Sequence, residues 1–90
     1  MNVYKAIEEM RRLSKEGKSF GFSFMSCNMD KGISEGVVEV RHARLRARES
    51  VKHNRNAEMM EGYVNLDTGE ARHFYQPLLM TFNGEKTILD

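Results

Sequence analysis

The apolar residues of this chain change their period once, at Gly17. From Val3 to Leu13 they recur with helical spacing (Val3, Ala6, Ile7, Met10, Leu13), one stripe opposite a charged face. Beyond Gly17 the period is two, beginning with Phe20, Phe22 and Phe24 against Gly21, Ser23 and Met25. Each such strand must cover an apolar face, and with a single helix to share, the strands must also cover one another. The expectation is therefore an α+β fold. One N-terminal helix would pack on a curled antiparallel sheet of about five strands, or cover an open side of a small SH3-like barrel. Ninety residues suffice for one domain with a thin core. They exclude a dinucleotide-binding fold, a TIM barrel and most enzymes that need a deep pocket between lobes.

The spacing predicts a helix over 2–16, capped by Asn2, with Glu8 one turn before Arg12 and Lys15 near the negative end. Strands follow at about 19–27, 37–48, 59–66, 71–82 with a bend at Pro77, and 85–89. Gly21 allows another backbone to approach closely, and Asn28 to Gly36 reads as a loop. In the second strand Val38 and Val40 share one parity, whereas Ala43, Leu45 and Ala47 share the other. One extra residue near Arg41–His42, a β-bulge, accounts for the switch. The third strand is read with Met60, Val64 and Leu66 inward and Tyr63 outward, like Tyr75. Phe74, Leu78, Met80 and Phe82 are read on one face. Asn83-Gly84 is a two-residue hairpin signal, and 49–57 reads as an exposed loop.

Charge is concentrated in one segment. Arg41, Arg44, Arg46, Arg48, Lys52 and Arg55 face one acid, Glu49, so residues 41–55 carry +5; the rest carries −4, which sums to the net +1. Arg44, Arg46 and Arg48 alternate with Ala43, Leu45 and Ala47, so three guanidiniums project from one strand face about 6.5–7 Å apart. Phosphates along a nucleic-acid strand have a comparable spacing, and guanidinium binds phosphate through two donors. Lys52 and Arg55 extend the patch, and Tyr63 and Tyr75 would offer stacking surfaces. The alternative is a cross-strand ion-pair ladder in which Glu58, Glu61 and Glu70 neutralise the arginines.

Other motifs point away from chemistry. Asp67-Thr68-Gly69 matches the D-T-G of aspartic proteases, which need two such aspartates sharing a proton. Only 23 residues follow Asp67, too few for that family's flap and second apolar-Gly segment, and the triplet suits a turn with a glycine bulge. His42, His53 and His73 have no metal-ligand spacing, and the single cysteine, Cys27, can form no intramolecular disulfide and reads as a small buried hydrophobe. The seven methionines read as core filler. No window approaches the roughly 18–20 apolar residues that cross a bilayer, and the charges between Lys5 and Arg12 argue against a signal peptide. A cytoplasmic setting without cofactor, metal or catalytic residue is expected.

The stretch Tyr63–Asn83 (YVNLDTGEARHFYQPLLMTFN), with the Arg-rich strand before it, resembles small uncharacterised proteins of bacterial prophages and other mobile elements. The resemblance implies a phage-derived structural or accessory role and carries over no site residue. The residues themselves point to a non-enzymatic interaction or assembly protein whose contact surface is Arg44, Arg46, Arg48, Lys52 and Arg55. Its partner would be another protein or a second copy. The same arginines on phosphates would make it a nucleic-acid-binding accessory module instead.

Overall fold

In the computed structural model, which describes residues 1–28, 33–46 and 59–89 (side chains of 27, 28 and 33–35 excepted), the helical stripe becomes α1 (Val3–Lys15). The Asn2 side chain accepts from the amides of Tyr4 (2.8 Å) and Lys5 (3.3 Å), satisfying two donors the first turn cannot pair internally. Val3, Ala6, Ile7 and Met10 are buried. Arg12 pairs with Glu9 and Glu16, one turn to either side, rather than with Glu8.

Six strands follow: β1 (Phe20–Asn28), β2 (Ile33–Leu45), β3 (Met60–Asn65), β4 (Ala71–Tyr75), β5 (Leu79–Phe82) and β6 (Glu85–Lys86). They form one antiparallel sheet in the order β4-β3-β2-β1-β5-β6. The strand expected over 71–82 is two strands, broken at Pro77 by a single 3-10 turn (Gln76–Leu78). The halves lie on opposite sides of β3, β2 and β1. In a flat sheet β4 and β5 would be four strand spacings apart, about 19 Å. The short connection from Tyr75 to Leu79, shortened further by its 3-10 turn, spans at most ~13 Å even when extended. The sheet must therefore curl. It stays open, since its edge strands β4 and β6 share no ladder.

Bulges supply the curl. Phe20 pairs with Ala43 but Phe22 with Val40, so β2 carries one extra residue at Arg41–His42 and its parity switches there. Gly21 sits opposite: a Cβ on it would lie 3.1 Å from the Arg41 carbonyl oxygen. A second shift pairs Ser26 with Gly36 and Cys27 with Ser34, so residues 33–36, expected in a loop, belong to β2. A third sets Ser23 against Thr81 and Phe24 against Leu79. Leu79 and Phe82 thereby both turn inward, while Met80, expected beside Phe82, is exposed.

The inner face carries Phe20, Phe22, Phe24, Val40, Ala43, Leu45, Tyr63, Phe74, Leu79 and Phe82, and α1 adds its buried stripe to the same core. Here β3 overturns its expected parity. Glu61 and Tyr63 are fully buried, while Leu66 is 47% exposed and Met60 and Val64 are only half-buried. The Tyr63 ring lies 5.1 Å from that of Phe22, edge-on, and 5.9 Å from that of Phe24. An aromatic body outweighs the hydroxyl it carries inward.

Asn83 and Gly84 both have positive φ (+49° and +83°) and join Phe82 to Glu85 as a two-residue hairpin loop. Asn83 is also bonded to Gly21 in both directions. Its amide donates to the Gly21 carbonyl (2.8 Å), and its side-chain oxygen accepts from the Gly21 amide (2.9 Å). One of these bonds and the left-handed preference are both lost in Asn83→Ala. The expected destabilisation is about 2 kcal/mol, measured by urea denaturation; a change below ~0.5 kcal/mol, the scatter of ordinary surface substitutions, would show the contact to be incidental.

Candidate functional site

Arg44 pairs with Val64 across β2 and β3 and is exposed; its neighbours Ala43 and Leu45 are buried, so its side chain leaves by the outer face. Arg46 extends that parity. Its amide donates to the Gly62 carbonyl (2.8 Å), and its guanidinium lies over Gly62, where a Cβ would come within 3.0 Å of Nε. Nη2 lies 3.1 Å from Nε2 of His73. Arginine has donors only, so that nitrogen of His73 is the acceptor and its proton sits on Nδ1. Arg48, Lys52 and Arg55, with His53, lie outside the described residues.

The expected ladder does not form among the described residues. Glu61, which that reading assigned to the outer face, is buried on the inner one. Its Oε1 accepts from Arg11 of α1 and from Nε2 of Gln76 in the 3-10 turn (2.9 Å). Glu70 pairs with Arg72, two residues on, at 2.8 Å; Glu58 lies outside the described residues. Arg41 and Arg44 have no carboxylate partner among the described residues. Glu39 is exposed on the same strand, beyond the bulge, without closing an ion pair to either. The stacking surface is reduced as well, because Tyr63 is buried and Tyr75 half-buried.

The bulge exposes both Arg41 and His42, and Nδ1 of His42 lies 3.1 Å from each carboxylate oxygen of Asp67. Asp67 sits in the four-residue loop Leu66–Gly69, where its amide donates to the Asn65 side chain (2.9 Å) and the Glu70 amide to the Thr68 hydroxyl (3.2 Å). The D-T-G triplet is thus a hairpin loop with its aspartate held by a surface histidine. Among the described residues no group of three or more His, Cys, Asp or Glu is placed to hold a metal ion, and no helix is long and apolar enough to cross a membrane. Cys27 lies in β1, its side chain outside the described residues.

A second feature had not been anticipated. The end of α1 and the end of β2 bound an open groove of about 720 Å³ lined by Arg11, Arg12, Ser14, Lys15, Leu45, Arg46 and Glu61. Ser14 fixes its geometry: its hydroxyl donates to the Met10 carbonyl (2.7 Å) and accepts from the Leu45 amide (2.9 Å). The helix end is thereby clamped to the strand end. Ser14 falls one turn beyond Met10 on the buried stripe, and a polar residue there was the available signal of a tertiary contact. Comparison with protein-family models, curated proteins and solved structures found no match, so the site rests on its own geometry.

Glu9, Arg12 and Tyr63 are shifted from their ordinary values. Arg12, through its side-chain hydrogen bond, holds the exposed Glu9 carboxyl below its ordinary value. Burial pushes the Tyr63 phenol up, against the opposing pull of the Arg72 guanidinium. A raised phenol pKa favours the neutral form in the fold. Its stabilisation is complete below the unfolded value, about 10, and is lost as pH rises through the folded value. Thermal midpoints should fall between pH 9 and pH 11 (roughly the span around that value), and fall less in Tyr63→Phe; equal slopes would show that Tyr63 is not the group responsible.

Glu61 is 1% exposed and its partner Arg11 43%. Arg11→Ala leaves a buried carboxylate with less compensation and should cost about 1–3 kcal/mol, below the value for a fully buried pair because Arg11 is part-solvated. Arg12→Ala removes only surface pairs and should cost clearly less than Arg11→Ala. Equal losses in chemical denaturation would contradict the assignment.

Proposed function

We propose that this chain is a non-enzymatic interaction or assembly protein, of the prophage or mobile-element kind its second half resembles, whose contact surface for an anionic protein partner is the cationic outer face of β2. The single observation supporting this reading is that Arg41 and Arg44 stand exposed, without carboxylate partners among the described residues, while Arg11, Arg12, Lys18 and Arg72 are all paired. Unneutralised guanidiniums steer acidic partners and discriminate among them more than they add raw affinity. Arg48, Lys52 and Arg55 would extend the surface.

Phosphate recognition is the second reading. Its support is the shared outward parity of Arg44 and Arg46, with a strand repeat of about 6.5–7 Å. Burial of Tyr63 counts against it, since sequence-tolerant single-strand binding draws much of its energy from bases stacked on aromatic rings.

Affinity capture from the native cell, with and without nuclease, tests both. Wild type should retain a nuclease-resistant protein partner that Arg41→Gln/Arg44→Gln loses. Recovery that nuclease abolishes, together with a log–log salt slope of about −0.7 to −0.9 per phosphate contacted, would transfer the assignment to nucleic acid. Identical capture by both proteins would remove β2 from the interface altogether.

A further inference from the structure

The groove between α1 and β2 has an ionic accounting of its own. Glu61 takes Arg11, and Glu9 and Glu16 take Arg12, at 2.5 and 2.6 Å. Two cations on its walls, Lys15 and Arg46, have no carboxylate partner among the described residues. Arg46 is the more unusual of the two. It is half-buried, its Nη2 donates to a neutral imidazole nitrogen, and its Nε is buried with no hydrogen-bond partner. A guanidinium drawn partly out of water without a counter-charge favours an anion beside it, because a charge-assisted bond to an oxyanion supplies the charge the fold leaves unmatched.

The remaining walls select the kind of anion. Leu45 and the aliphatic stems of Arg11, Arg12 and Lys15 line an apolar channel beside the two cations. A volume of this order accommodates a ligand of several residues' size rather than a lone ion. Buried Glu61 and the flanking Glu9 and Glu16 oppose a dense row of phosphates, while Lys15 and Arg46 remain to pair with the carboxylates of a less densely charged ligand. No fully exposed aromatic ring of β3 or β4 is offered to a base.

We propose that this groove docks an acidic peptide segment of a protein partner, its Glu or Asp carboxylates pairing with Lys15 and Arg46 and its apolar side chains lying against Leu45. The proposal rests on the reading of the chain as an interaction protein, and moves the anchor from the outer face of β2 to the groove at its end.

The probes are fluorescein-labelled peptides of alternating Glu and Leu, the same peptide with Gln for Glu, and a labelled oligothymidylate, read by fluorescence anisotropy against the full chain. The Glu-Leu peptide should bind at least ~10-fold tighter than its Gln counterpart, as expected for a charge-assisted pair. Lys15→Gln, on the exposed helix surface, and Arg46→Gln should each weaken it about 5-fold or more. Arg44→Gln, outside the groove, should change it less than about 2-fold. Circular dichroism checks the fold of Arg46→Gln, and Lys15→Gln carries the test should that variant misfold. Equal affinity for the Glu and Gln peptides, or tighter binding of the oligothymidylate, would overturn the proposal. Weakening by Arg44→Gln but not by Lys15→Gln would overturn the groove and leave the outer-face reading standing. Absence of peptide and oligothymidylate binding, with no partner captured from the cell, would overturn both.

Discussion

The short connection from Tyr75 to Leu79 carries the chain from one flank of the sheet order to the other, and that short path dictates the rest of the structure. Because it cannot reach across a flat sheet, β1, β3 and β4 face one another across a curved interior. Phe22 of β1 consequently meets Tyr63 of β3 at 5.1 Å and Phe74 of β4 at 5.0 Å, as well as its own-strand neighbours Phe20 and Phe24. Strands two and three places apart in the sheet thus share one aromatic cluster. Such pairs add about 0.5–1.5 kcal/mol each beyond the area they bury, a large share in a chain whose net stability is only ~5–10 kcal/mol. Crossover and cluster are mutually dependent: the turn imposes the curl, and the rings make it favourable.

Glu61 follows from the same geometry. It sits where β3, α1 and the 3-10 turn converge, and a single carboxylate oxygen accepts from Arg11 of the helix and Gln76 of the turn. Once the curl has brought three elements together, their polar groups must find one another, since buried donors and acceptors are costly unpaired. Helix position is thereby coupled to crossover position, and the Ser14–Leu45 clamp repeats the coupling at the end of β2. The groove is what lies between these two fixed points.

Local features of the fold were legible. The helix, its Asn2 cap, the Asn83-Gly84 hairpin, the close approach at Gly21 and the bulge at Arg41–His42 each leave a mark within a few residues of sequence. The parity of β3 was not legible, because alternation counts polarity, and at Glu61 a charged residue occupies an inward position whose compensating partners lie fifteen and fifty positions away. Pro77 marked a break but not its consequence, since a bend within one strand and a crossing between two flanks require the same residue. Met80 was misplaced for a related reason: its bulge is a property of the pairing with β1, and β5 alone does not encode it.

The candidate site divides along the same line. The positive stripe on β2 is a local pattern and was visible, whereas its neutralisation depends on where distant carboxylates end up. Acids close in sequence to a cation largely spend themselves there: Glu9 and Glu16 on Arg12, Glu70 on Arg72, Asp67 on the histidine its hairpin loop overlies. Glu61 reaches across the molecule, but inward, to the helix. A chain of net charge +1 can therefore present uncompensated arginines on one strand without any overall excess of base. Near-neutrality describes the sum; which face remains charged is decided by the pairing, and here the pairing leaves the end of β2 unmatched.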